Sequence, residues 1–264
     1  MPVMTGRGCQ WNKCAFCSDI VSASGRTFRT RPVAAVMNEL REQAHRHNTK
    51  NFLFIDLKLN SNPAMFRGIV EEIQRAVHGA EWVGTVHVDQ RPDNGLSRRE
   101  LREAVTAGMR RISFGLESGS QRLLDAMDKG CLVEANSAFI RHAHEAGLSV
   151  RATMFKGYPG ETVEDLEKTE AFLRAHAPYL DRVRYNDFSI HEDTPIYNRV
   201  VEDPEAYPEM RVRRYDHRNG RAIHQNDAIT HRAYRAVNTR ILDIVYAINR
   251  RRVRRTAHAF DGLM

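Results

Sequence analysis

Short apolar runs alternate with longer segments whose apolar residues recur at every third and fourth position, and this alternation limits the fold more than any other feature of the chain. The runs Val3 to Thr5, Phe52 to Ile55, Trp82 to Val88, Arg111 to Leu116, Ser149 to Phe155 and Arg182 to Phe188 have strand length and read as six buried strands. Between them the spacing predicts helices over Pro32 to His47, Pro63 to Val77, Ser97 to Ala107, Ala135 to Ala146 and Thr162 to Ala175. Ser97 and Thr162 each stand three residues before a carboxylate, Glu100 and Asp165, a pairing that satisfies the free N–H groups of a first helical turn. Gly108 and Gly147 suit the left-handed position that closes a helix. Six βα units predict an α/β fold with a parallel sheet, either open and doubly wound or closed part-way into a barrel. Both arrangements place ligands at the C-terminal ends of the strands.

Past Asp187 the pattern weakens. The polar stretch Glu202 to Asn226 reads as a long connection, and a final helix over Ala228 to Arg250 presents Ile229, Val237, Ile241, Leu242, Val245 and Ile248 for docking. A core over residues 1–200 and an extension over 201–264, with a docking helix and a basic tail, is the expected division. The net charge is +7, and Arg250, Arg251, Arg252, Arg254 and Arg255 supply five of those charges, leaving two for the rest. The basic character therefore belongs to a tail, read as solvated, and nucleic acid is not the expected partner. No apolar run approaches the roughly 18 to 20 residues that span a bilayer, and no secretory signal opens the chain. A cytoplasmic protein without membrane partners is expected.

Three of the four cysteines crowd into Cys9-Gln-Trp-Asn-Lys-Cys14-Ala-Phe-Cys17, directly after the first strand. In a reducing compartment such a group reads as a metal or cofactor site. A structural zinc normally takes four ligands, and no neighbouring Cys pair or His completes this set. An iron–sulfur cluster held by three Cys leaves one iron open, which is a catalytic arrangement.

This loop, with Arg7-Gly8 before it and Phe16 inside it, resembles the signature loop of radical S-adenosylmethionine (radical SAM) enzymes, with four residues between the first two Cys and two between the next. Further similar segments recur in order. They are Phe54-Ile-Asp56-Leu-Lys58-Leu-Asn60 after the second strand, Phe114-Gly115-Leu-Glu117-Ser118-Gly119-Ser120-Gln121 at the fourth, Lys156-Gly157-Tyr-Pro159-Gly160-Glu161-Thr162 at the fifth and Thr194-Pro195-Ile-Tyr197 after the sixth. The resemblance covers Pro2 to Tyr197 and is nearest to the cobalamin-associated subgroup and its methylthiotransferase and coproporphyrinogen-oxidase relatives.

The resemblance implies a partial (β/α)6 TIM-type barrel with a C-terminal helical extension. It implies a [4Fe-4S] cluster on Cys9, Cys14 and Cys17, and S-adenosylmethionine cleaved reductively to methionine and a 5′-deoxyadenosyl radical that activates a C–H bond. Phe16 matches an aromatic over the adenine, with anchoring of the loop as the other reading. Glu117 matches a ribose contact and Lys129 a partner of the methionine carboxylate. Asp56, and less so Asn60, fall where polar groups meet the methionine amine, while Gly157, Pro159 and Gly160 shape a turn beside the adenine. Asp89, Arg91, Arg151, Thr153, Tyr185, Asp187 and His191 are candidates for the mouth and the substrate side. Cys131 reads as inert, and no residue is assigned a catalytic role. An external reductant such as flavodoxin or ferredoxin and a small-molecule or peptide substrate are implied. Cobalamin enters only if a separate domain supplies it. The alternatives are a zinc-stabilised nucleic-acid-binding module and a degenerate radical SAM scaffold.

Overall fold

The computed structural model describes residues 1–19 and 27–263. In chain order they form β1 (Pro2–Val3), β2 (Gly6–Gly8), β3 (Phe28–Thr30), α1 (Val33–His47), β4 (Asn51–Phe54), α2 (Pro63–Ala76), β5 (Glu81–Val86), α3 (Arg98–Thr106), β6 (Met109–Glu117), α4 (Gln121–Ala126) and α5 (Val133–Ala146). There follow β7 (Ser149–Lys156), α6 (Val163–His176), β8 (Arg182–Asp187), β9 (Ile190–His191), α7 (Pro195–Glu202), β10 (Met210–Asp216), β11 (Arg221–Asn226) and α8 (Arg232–Asn249).

The six predicted strands form one sheet in the order β1-β4-β5-β6-β7-β8, and every neighbouring pair is parallel. This is the expected α/β fold, with β1 and β8 at its two edges. One face of each strand enters a continuous apolar core: Ile112, Phe114 and Leu116 of β6 alternate with Val150, Ala152 and Met154 of β7. Phe114 meets Phe139 of α5 edge-on at 5.1 Å, and Trp82 lies between Phe54 and Phe66 at 5.4 and 6.1 Å. Both capping boxes form, Ser97 with Glu100 and Thr162 with Asp165. Gly108 and Gly147 take φ values of 96° and 103°, as the helix ends require.

The edge of β8 is covered by α8. The amide of Asn249 accepts from the Val183 N–H at 2.8 Å and donates to the Val183 carbonyl at 2.8 Å, so one side chain takes the place of a strand partner.

Two sequence expectations are corrected. The stretch Glu202 to Asn226 contains the antiparallel hairpin β10–β11, which joins β9. Its strands escaped detection because Met210, Ala222 and Asn226 are buried while Tyr215 and Ile223 are exposed, leaving no apolar alternation. The basic run is not a free tail. Val253, Ala257 and Phe260 are buried, Arg251 donates to the Leu180 carbonyl at 2.7 Å, and Arg254 lies 2.8 Å from His144 Nδ1. Helix α4 and the β2–β3 hairpin lie in segments that carry no clear period.

Candidate active site

The residues that follow the strands build a cavity of about 260 Å³ at the C-terminal end of the sheet, and Cys9, Cys14 and Cys17 all line it. The thiol loop is fixed at three points. The Trp11 indole donates to the Asp128 carbonyl at 2.7 Å, the Ala15 N–H to Met127 O at 2.8 Å, and Ala15 O accepts from the Ile196 N–H at 2.9 Å. Gly130, at φ 64°, lets the loop in: a Cβ there would lie 2.1 Å from the Trp11 ring.

Opposite the thiols, β6 ends at Glu117, which takes φ 59° and is buried. Lys129 Nζ donates to its Oε1 at 2.8 Å and stands 5.5 Å over the Phe16 ring. Burial works against the Lys129 ammonium, but Glu117 and Cys14 outweigh it, so the amine is held charged, above its ordinary range. Gly115 makes room for the pair, since a Cβ there would meet Glu117 Oε1 at 2.2 Å and Lys129 Nζ at 2.7 Å. Burial also pushes the Cys14 thiol up to about 12; Lys129 opposes the rise, and Cys17 and Cys9 add to it.

Two wall residues were not singled out from the sequence. Lys58 is buried on Asp89 at 2.6 Å, with burial lowering its pKa against the pull of that carboxylate. His87 is buried, its Nε2 has no hydrogen-bond partner, and desolvation followed by the Lys129 and Lys58 charges holds it neutral. It is the first residue past β5, where a search of strand ends would have found it had the strand been ended at Val86.

Other sequence candidates have partners within the protein. Both oxygens of Asp56 accept from Thr5 N at 3.1 Å, and Oδ1 also from Gly6 N at 2.8 Å, so it anchors the strand leading into the thiol loop. It does not line the cavity. Asn60 bonds His87 and Asn94, and Arg91 grips Asp89, so both stitch loops together. Gly157 and Gly160 take φ 79° and 77° in the turn after β7, where Gly157 O accepts from Asn226 and Gly160 N–H donates to Glu209. Neither they nor Pro159 line the cavity. Cys131 is buried away from it beside Asn136, and its thiol is raised by that burial.

A wider cavity of about 510 Å³ shares Phe16, Cys17, Glu117 and Thr153 with the first and continues to Arg184, Asp187, His191 and Arg221. The larger hollow between α2 and α3, about 860 Å³, lies on the outer helical layer, carries no thiol and is lined by Arg67, Glu71, Arg99 and Glu103 among others. No set of three His, Cys, Asp or Glu among the described residues could hold a single metal ion, and no helix among them is long and apolar enough to cross a membrane.

A parallel α/β sheet with three thiols and a buried ion pair at its C-terminal strand ends defines a cofactor-using enzyme core. The family model of the radical SAM superfamily matches residues 3–173, and the chain belongs to that superfamily, whose enzymes use S-adenosylmethionine and a [4Fe-4S] cluster. It is 28% identical over 193 residues to an uncharacterized methyltransferase of Pyrococcus horikoshii, covering 73% of this chain and 39% of the relative. It is 27% identical over 248 residues to a mitochondrial tRNA methylthiotransferase of Mus musculus, covering 80% and 39%. The chain thus spans about two fifths of the length of these curated relatives. Among solved structures, the cobalamin-dependent radical enzyme OxsB with aqua-cobalamin and S-adenosylmethionine bound matches with TM-score 0.70 at 18% identity, covering 90% of this chain and 40% of that one. The methyltransferase TsrM from Kitasatospora setae, with tryptophan and a S-adenosylmethionine analogue bound, matches with TM-score 0.70 at 16% identity, covering 92% and 52%. These likenesses show the fold.

Proposed function

We propose that this chain is the catalytic core of a radical SAM enzyme that modifies an organic small molecule or a peptide at an unreactive carbon, methyl transfer being one such modification. The observation that carries this reading is the convergence of Cys9, Cys14, Cys17, Glu117 and Lys129 on one cavity. Three thiols gathered on one cavity fit a four-iron cluster with one iron left for a cofactor. When bound, the cluster and S-adenosylmethionine supply one-electron cleavage of the sulfonium, giving methionine and a 5′-deoxyadenosyl radical.

What the chain itself supplies is binding, orientation and exclusion of water. Cys9, Cys14 and Cys17 would hold the cluster. Lys129 keeps donors free beyond its bond to Glu117, and its enforced positive charge suits a carboxylate. Glu117 would accept from ribose hydroxyls with the oxygen that Lys129 leaves unpaired. Phe16, held edge-on by Phe155 at 5.1 Å, would cover the adenine. Asp56, Gly157, Pro159 and Gly160 act at one remove, by shaping the loops that carry these groups.

We further assign residues 1–200 to the core and 201–264 to the extension, a flavodoxin or ferredoxin as the reductant, and the cytoplasm as the place of work. Cobalamin takes part only if another domain brings it. Anaerobic reconstitution followed by chromatography is the test: reduced, cluster-loaded protein should yield 5′-deoxyadenosine from S-adenosylmethionine. No product beside an active control enzyme would sink the proposal.

A further inference from the structure

Strands of a parallel sheet are usually apolar on both faces, yet the face opposite the main core carries arginine after arginine. Arg111 lies on β6, Arg151 on β7, and Arg182 and Arg184 on β8. Ile112, Val150, Ala152 and Val183 beside them point into the apolar core, so the arginines share the other face. Register brings them together. Arg151 stands beside Arg182, and Thr153 beside Arg184, one step further along. All four line a cavity of about 420 Å³ at the end of the sheet remote from the thiols, closed by Asp261, Gly262 and Leu263.

The charge in this cavity is not balanced. Asp261 is the sole carboxylate among its lining residues, at 3.9 Å from Arg111 and 3.8 Å from Arg182. Arg111 is 3% exposed, and its Nε and one Nη have no hydrogen-bond partner, the other Nη donating to Phe260 O at 2.7 Å and Leu263 O at 3.1 Å. Arg151 donates to Leu263 O at 3.1 Å, and Arg184 meets no carboxylate within ion-pair distance among the described residues. Burial, and then the neighbouring guanidinium groups, lower the pKa of Arg151. Unpaired guanidinium donors held out of water are unfavourable unless an anion meets them.

We infer that this cavity is a binding site for a phosphate group, free or as the head of a small phosphate ester. Four guanidinium groups against one lining carboxylate leave three positive charges, of which a phosphate dianion neutralises two, and Asp181 nearby also attracts Arg111. Their planar forks suit tetrahedral oxygens. The volume exceeds a bare phosphate and accommodates an organic remainder. Arg184 also lines the wider cavity beside Phe16 and Cys17, so an occupant of the lower site lies against a wall of the upper one. The site stands independently of the radical reading, since it needs neither cluster nor S-adenosylmethionine.

The test uses the full chain without added iron or S-adenosylmethionine, titrated with inorganic phosphate and with glycerol 3-phosphate by calorimetry and thermal melting, chloride holding the ionic strength constant. Wild type should bind saturably and melt higher, while Arg151→Gln and Arg184→Gln should each bind at least tenfold more weakly. Both residues are less buried than Arg111, so the outcome does not hang on whether Arg111→Met folds. Tighter binding of the ester identifies an organophosphate, equal binding a free anion, and either supports the site. A melting response that chloride reproduces, or affinity unchanged in both variants, overturns it. So does wild type that binds no phosphate while both variants expose Gly262 and Leu263 to protease, since the arginines then only anchor the chain's end.

Discussion

Lys129 and Glu117 form a buried ion pair at 2.8 Å, each side chain 9% exposed, and Gly115 is the residue whose missing side chain makes the pair possible. Gly115→Ala would put a methyl group where Glu117 Oε1 now sits. Overpacking of this kind costs about 1 to 3 kcal/mol. The variant should fold, melt lower and bind S-adenosylmethionine at least tenfold more weakly in calorimetry. Unchanged affinity would show that the pair does not meet the cofactor.

Breaking the pair from one side leaves a charge buried alone, which costs about 3 to 5 kcal/mol. Glu117→Gln and Lys129→Met should each destabilise the protein by amounts in this range. The double variant should lose clearly less than the sum in a denaturant cycle. Strict additivity would contradict direct coupling.

Cluster binding should divide the four cysteines. Alanine at Cys9, Cys14 or Cys17 should remove the visible absorption and most of the iron after reconstitution, while Cys131→Ser should keep both. Loss of iron in the Cys131 variant would place that thiol in the site.

Glu161 is buried under α8, accepting from Tyr234 Oη at 2.7 Å and from Gly157 N–H at 2.5 Å. Desolvation raises its carboxyl from 4.5 to about 7 against those two hydrogen bonds, Asp165 adding to the rise and Lys156 opposing it. Between these values the folded chain holds a proton that the unfolded chain has released, so stability falls as pH rises from about 4.5 through about 7. The full difference is about 3 kcal/mol. Melting curves across this window should show the decline, and Glu161→Gln should flatten it. An identical slope in the variant would assign the titration to another group.

The three thiols, Glu117 and Lys129 were legible because close spacing and strand-end position both survive in a linear sequence. Lys58 and His87 were not. In Asp56-Leu-Lys58, the loop after β4 turns Asp56 toward Thr5 and Lys58 toward the cavity, a choice made by backbone angles that spacing does not encode. Arg250, Arg251, Arg252 and Arg255 are exposed, as a solvated run should be, and their spacing gives no sign that Val253, Ala257 and Phe260 among and after them are buried and hold the segment down. The β10–β11 hairpin is held by backbone ladders with little apolar burial, so period alone passes over it.

The thiol loop is clasped by Asp128, Met127 and Ile196, partners between 112 and 181 positions further along the chain. Contacts so distant form only after the intervening loops have closed, which makes them late events in folding. During synthesis Cys9, Cys14 and Cys17 leave the ribosome long before their seat exists. Iron and sulfide delivered early would meet three cysteines on a tether with nothing to gather them. Seating of a cluster therefore waits until the chain has been made at least as far as Ile196 and has folded back on its start, so slow folding, and not only a poor supply of clusters, would leave the protein without metal.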